Sequence, residues 1–241
     1  MNQYTVITAD IVRSREHQNS AGKIRNDLTE LYQELDTAYP FTLLKGDEIQ
    51  GVLSGFLPEQ LPKTVRSLRF YLYPLKTRVG IGAGSINRER TTSNPWELNG
   101  EAFFRAREAL DYLKEGALQR IYLKSGHQEI DLILNSLWLL MDLIQSGWTG
   151  PQWEATWTYE KAGTYKEAAK TLDIAFQNVE KRCRAANWKE FSRSEENMKQ
   201  ILKLITDGKL STLKEERITI KEERITKKPE GKPESKPEGE K

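Results

Sequence analysis

The chain has 241 residues with 37% hydrophobic content, enough for one moderate domain and a small second one. Lys and Arg number 37 against 35 Asp and Glu, so the net charge of +2 gives no global field for a polyanion and any nucleic-acid surface has to be a local patch. One cysteine, Cys183, excludes an intramolecular disulfide framework and a multi-cysteine zinc site, and two histidines, His17 and His127, argue against a histidine-based metal site.

The N-terminus runs straight into a strand at residues 4–12 with no basic-then-apolar leader. The longest apolar stretch, residues 132–144, is broken by Asn135, Ser136 and Asp142 and is too short to span a bilayer. The expectation is a cytoplasmic protein without membrane insertion. The first strand carries Asp10 at the end of the apolar run Tyr4-Thr5-Val6-Ile7-Thr8-Ala9. Asn19-Ser20 offers a cap for an amphipathic helix with Ile24, Leu28, Leu31, Tyr32 and Leu35, closed by Pro40. Residues 41–44 and 52–56 read as a hairpin with Gly46-Asp47 at its turn. Pro58 begins a helix through Val65, Leu68 and Leu72, and Pro74 stops it.

A fourth strand spans residues 76–84 and includes Gly80, Gly82 and Gly84. No helix opens directly after these glycines, so they do not make a dinucleotide site. Glycines in a strand instead mark close approach of a backbone or a ligand. A helix at 99–114 and a strand at 118–124 follow, giving β-α-β-β-α-β with further elements, the order of a ferredoxin-like sheet. Beyond Ser125 the pattern is helical, and Trp138, Trp148, Trp153, Trp157 and Trp188 read as its core. From residue 209 the chain repeats mixed charges without an apolar stripe, so 209–241 is expected to be disordered.

Asp10 and Asp47 carry the chemistry. Mg²⁺ needs converging oxygens and is usually held by one or two carboxylates plus phosphates. A strand-end aspartate is often only a cap or turn residue. Two of them in register with the glycine strand and the Gly100 helix favour a metal site.

Thr8-Ala9-Asp10-Ile11-Val12, Gly46-Asp47-Glu48-Ile49-Gln50, the residue 78–84 glycine strand and Gly100-Glu101-Ala102-Phe103-Phe104 occur in the order used by class III nucleotide cyclases. The chain most closely resembles the SatD family, a bacterial group with a cyclase-like N-terminal half and a helical C-terminal half. That resemblance implies an α+β fold with a ferredoxin-like, cyclase-type sheet at 1–125. It implies Asp10, Asp47 and the Ile11 carbonyl as ligands to Mg²⁺ or Mn²⁺, ATP or GTP as ligand, and a homodimer. Glu48 beside Asp47 is similar to the Gly-Asp-Glu turn of diguanylate cyclases. Counting from Gly100, Phe104 stands at the cyclase asparagine position and Glu108 at the arginine position. Arg107 is one residue off, about 100° round the helix. Arg105 and Arg107 would meet phosphates by another route, and no catalytic residue is assigned.

Residues 164–186 resemble the helix-turn-helix of sigma-factor region four, with residues 151–161 as the supporting helix, inside an all-α domain at 126–208. Thr164 caps the first helix, Ala168, Ala169 and Leu172 face inwards, and Val179 and Cys183 lie buried one turn apart on the second. Asp173 stands where glycine is usual. By that resemblance Gln177, Asn178, Lys181 and Arg182 face DNA, amides on adenine edges and basic groups on phosphates. Tri-helical units of this spacing also serve as packing modules, and Cys183 reads as a buried small apolar residue. The resulting expectation is a bacterial regulator coupling a nucleotide- and Mg²⁺-binding domain to a DNA- or partner-binding one. The alternatives are an active nucleotidyl cyclase or nucleotidyltransferase, or a catalytically dead dimerisation module.

Overall fold

The computed structural model describes residues 3–14, 20–44, 47–87 and 94–209. They form an α+β structure, a five-stranded mixed sheet with eight α-helices among the described residues. In chain order these are β1 (Gln3–Ile11), α1 (Ala21–Glu34), β2 (Tyr39–Leu44), β3 (Glu48–Ser54), α2 (Leu61–Leu72), β4 (Thr77–Ser85), α3 (Glu101–Lys114) and β5 (Ile121–Lys124). Helices α4 (Gln128–Gln145), α5 (Gly150–Ala162), α6 (Tyr165–Leu172), α7 (Phe176–Ala185) and α8 (Trp188–Thr206) complete it. The chain divides into one compact unit, Met1–Lys203, and a second, Leu204–Lys241. Gly46 and residues 210–241 lie outside the described residues.

The sheet order is β2-β3-β1-β4-β5, with β1 central and antiparallel to both β3 and β4, and β5 parallel to β4. Eight of the nine β1 residues are buried, which is why its apolar run carries so little alternation. Pro40 does not close the first helix: α1 ends at Glu34 and Pro40 lies in β2, at the edge of the sheet. An edge strand tolerates a residue that cannot donate to the ladder. Likewise Pro58 precedes α2 rather than opening it, its carbonyl accepting from the Leu61 amide at 2.9 Å.

Helix α3 packs on β4, β1 and β5, while α1 and α2 pack together against β2 and β4. Buried ion pairs join α2 to the C-terminal helices. Arg66 donates to Glu195 from Nε and Nη2, both at 2.9 Å, and from Nη2 to Glu160 at 2.8 Å. Its guanidinium lies 5.7 Å from the Trp157 ring centre and 5.2 Å from that of Trp188. One turn on, Arg69 Nη1 meets Asp142 at 2.8 Å and Gln145 at 2.6 Å. Phe70 stacks on Trp157 at 4.1 Å. All five tryptophans of the helical half are buried, as their bulk requires.

Helix α4 is fastened beside β5 by side chains. Asn135 accepts from the Leu123 amide at 2.8 Å and donates to its carbonyl at 2.9 Å. Asp142 accepts from the Arg120 amide at 2.8 Å, and Asp131 from the Ser125 amide at 2.7 Å. Asn135 and Asp142, which interrupt the apolar stretch in the sequence, are both buried for this reason.

Candidate functional site

The register of the sheet brings Asp10 opposite Glu48 on one side and Arg78 on the other. Directly opposed residues share a face, so all three project from the face that α3 covers. Helix α3 lies close to that face because β4 carries glycine beneath it. A Cβ at Gly80 would stand 2.6 Å from the Leu110 amide nitrogen. One at Gly82 would collide with the Ala102 carbonyl and stand 2.9 Å from the Ala106 Cα. Gly80 and Gly82 therefore serve the close approach of a backbone, one of the two uses their sequence suggests.

With α3 seated so low, its Arg107 and Lys114, two turns apart on one helix face, reach the end of β1. Arg107 grips Glu48 with Nη1–Oε1 at 2.7 Å and Nη2–Oε2 at 3.3 Å. Lys114 Nζ lies 3.6 Å from Glu48 and 4.0 Å from Asp10 Oδ2. Arg78 Nη1 donates to the same Asp10 oxygen at 3.2 Å. The other oxygen, Asp10 Oδ1, is buried and has no hydrogen-bond partner.

The two acids titrate in opposite directions. Burial pushes the Asp10 carboxyl above its ordinary range, against the pull of Lys114 and Arg78 and with an added push from Asp47. The hydrogen bond from Arg107 holds Glu48 below its ordinary range. Asp47 stands beside them at the hairpin turn, where its Oδ2 accepts from the Ser14 hydroxyl at 2.8 Å and its carbonyl from the Ile11 amide at 3.2 Å. Ile11 is thus joined to Asp47 through its backbone while its side chain is buried.

No group of three or more His, Cys, Asp or Glu side chains converges to hold a metal among the described residues. The donors on hand are one unpartnered carboxylate oxygen and a neighbouring aspartate. That set fits Mg²⁺, which commonly takes its remaining oxygens from phosphates and water.

Arg105 stands apart from this cluster. It donates to the Ala83 carbonyl and to Glu101, both at 2.6 Å. On β4 that is five residues from Arg78, about 17 Å of strand. Phe104 is 69% exposed, and Glu108 pairs with Lys124 at 2.9 Å. Of the positions where cyclases carry asparagine and arginine, the first is open to solvent and the second is engaged with Lys124 of β5.

In the helical half, α5, α6 and α7 pack mutually. Thr164 Oγ1 caps α6 by accepting from the Glu167 amide at 3.2 Å. Asp173 adopts a left-handed backbone, φ 50° and ψ 47°, and the Ile174 amide returns to the Ala169 carbonyl at 3.1 Å. This is the conformation for which glycine is preferred, and aspartate is among the few side chains that tolerate it. Ala168, Ala169, Val179 and Cys183 are buried as their spacing predicts, and burial pushes the Cys183 thiol up to about 11. Such a thiol is unreactive near neutrality. On α7, Gln177, Asn178 and Lys181 are exposed and Arg182 is half-buried.

Residues 4–202 match the family model of the SatD family. The chain belongs to the SatD family. Among solved structures, this SatD protein is similar to a regulator of polyketide synthase expression from Bifidobacterium adolescentis, with 12% identity over 86% of this chain and 81% of the other. The TM-score is 0.25, so that likeness carries no argument about fold or role. No curated protein matches. Among the described residues, no helix of the SatD chain is long and apolar enough to cross a membrane.

Sequence reasoning names Asp10, Asp47, Glu48 and Arg107 at this end of the SatD sheet and misses Arg78, Lys114 and Ser14. Two of those three were within reach. Arg78 is two residues before Gly80, hence on the same face, and Lys114 is seven after Arg107, hence on the same helix side. Ser14 depends on a loop after β1 that no periodicity describes.

Proposed function

We propose that this SatD protein binds ATP or GTP together with Mg²⁺ or Mn²⁺ at the Asp10 end of its sheet. In this reading residues 1–125 are a ferredoxin-like, cyclase-type domain, and the order β2-β3-β1-β4 with β1 antiparallel to both neighbours supports it. Residues 126–208 would carry a helix-turn-helix to DNA or a protein partner, a reading supported by the left-handed turn at Asp173 and the exposed Gln177, Asn178 and Lys181.

One observation carries the nucleotide reading: the unpartnered, buried oxygen of Asp10. A buried polar atom left without a partner costs about 1–3 kcal/mol, more when charged. A divalent cation on Oδ1 would offset that cost and favour the ionised carboxylate. Asp47 would be the second ligand, by exchanging the Ser14 hydroxyl for the metal, and the Ile11 carbonyl the third. The metal would neutralise the carboxylates and hold the polyphosphate against them. Lys114 and Arg107, now turned on Asp10 and Glu48, would supply phosphate contacts. Arg105 would add one by releasing Glu101.

The test is calorimetry with ATP and GTP, with and without Mg²⁺ or Mn²⁺. Binding should require the metal and be lost in Asp10→Asn and Asp47→Asn, each of which remains folded. Unchanged metal-dependent affinity in both variants would remove the site. A second reading, an active nucleotidyl cyclase, is favoured by Arg107 standing beside the acids. Chromatography after overnight incubation with Mn²⁺ separates the two, and with Phe104 and Glu108 in place of the cyclase asparagine and arginine the expected result is no nucleotide product.

A further inference from the structure

Helix α4 is apolar on both sides. Its buried side presents Leu134, Trp138 and Met141 together with Asn135, Asp142 and Gln145. The opposite side carries Leu132, Ile133, Leu139, Leu140 and Leu143, all exposed, with Leu132 70%, Leu140 61% and Leu143 72% open. At 100° per residue these five and Ser136 fall within about 120° of arc. Glu129 is the one charged residue in that arc. A helix that is hydrophobic all round belongs in an interior, yet among the described residues nothing of this chain covers that side.

We propose that this side of α4 is the seam of a two-fold homodimer, in which the helix packs antiparallel on its own copy. Three observations select a second copy as the occupant. The open surface of the five apolar side chains and the adjoining Tyr112 is on the order of 600 Å², most of the roughly 800 Å² that each partner of a standard interface buries. The arc offers almost no charge by which a charged foreign surface would be recognised. The register is self-complementary. Leu132, Ser136, Leu139 and Leu143 follow the alternating four- and three-residue spacing of a coiled-coil seam. In an antiparallel pair Leu132 meets the second copy's Leu143, and the small Ser136 receives its Leu139, twice over by symmetry. A cleft between Tyr112 and Tyr122 on one side and Leu132 and Leu139 on the other borders the seam and leaves room for the flanking side chains.

This inference rests on the open side of α4 and is independent of the nucleotide reading. It is tested on the full chain by sedimentation equilibrium, where the expected mass is twice 27.8 kDa. Leu132→Glu with Leu143→Glu places like charges across both ends of the seam. It should raise the dimer dissociation constant about a hundredfold or more while circular dichroism stays unchanged. One added cysteine per chain, with Cys183 buried, then reads the register without removing the apolar face: Leu132→Cys should cross-link to Leu143→Cys on mixing and not to itself. A monomer at every concentration overturns the proposal. So does a dimer that survives the double glutamate substitution, which would leave residues 210–241 or a foreign protein as the occupant. Self-cross-linking of Leu132→Cys overturns the antiparallel seam.

Discussion

Two charged clusters of this protein differ in one respect that separates a joint from the proposed binding place. Around Arg66 the charge is matched by two carboxylates. Its guanidinium lies between two tryptophan rings and meets two glutamates at 2.8–2.9 Å. At the end of β1, three cations surround Asp10 and Glu48, yet one oxygen of Asp10 meets none of them. Burial is costly for a charge in both places. The first cluster has both its acids engaged within the chain and holds α2 to α5 and α8. The second leaves Asp10 Oδ1 without a partner, and the proposed ligand would supply one.

If Arg66 is a joint, removing it should cost the most. Arg66→Ala strands the partly buried carboxylate of Glu195, leaves Glu160 with Lys63 at 3.7 Å, and should lower unfolding stability by about 3–5 kcal/mol in urea titration. A loss under 1 kcal/mol would mean that the pairs are no better than surface bridges. Next comes the seating of α3. Gly82→Ala drives a methyl group into the α3 backbone and should cost about 1–3 kcal/mol. Because it lifts the helix that carries Arg107 and Lys114, it should also weaken metal-dependent nucleotide binding. A variant that loses stability and keeps full affinity would show that those cations take no part.

Smaller effects distinguish the two acids. The folded-state pKa of Asp10 is raised, so its stabilising contribution is present below the ordinary aspartate value and is lost as pH rises through the raised one. Glu48 is lowered, so its contribution is present above the ordinary glutamate value and is lost as pH falls through the lowered one. Without metal, Asp10→Asn should therefore abolish a decline in stability on the alkaline side of the ordinary aspartate value. Glu48→Gln should instead remove a decline on the acid side. Urea midpoints across pH measure both, and parallel profiles would refute the contrast. The smallest effect on stability is expected on α7. Lys181→Ala with Arg182→Ala should shift stability by about 0.5 kcal/mol or less. If α7 meets DNA, the pair should also lower the log–log salt slope of binding by about 2, read by fluorescence anisotropy. An unchanged slope would leave α5–α7 as a packing unit.

Most strands and helices were legible because their apolar positions repeat with the period of the element. Pro40 was misread because proline marks a helix end and also fits an edge strand, and local sequence does not tell which side of a strand is open. Asp10 and Asp47 stood out since each follows or interrupts an apolar run. The cations facing them did not, because Arg78 and Lys114 acquire meaning only once β4 and α3 are laid beside β1. Arg66 and Arg69 were passed over for a related reason. Charged residues on an amphipathic helix ordinarily face solvent, and only the later packing of α4, α5 and α8 reverses that. Asn135 and Asp142 looked like interruptions of an apolar stretch, whereas their partners are backbone groups of a strand that precedes them.

The grip of α4 on β5 also bears on what the sheet will not do. A strand at the rim of a sheet exposes backbone groups that invite a further strand from another chain, the first step of edge-to-edge aggregation. Here Asn135 occupies both groups of Leu123, and Asp142 and Asp131 occupy the flanking amides of Arg120 and Ser125. At this rim three side chains take backbone groups that a further strand would use. Its protection against aggregation can be erased one residue at a time, with Asn135 guarding the middle.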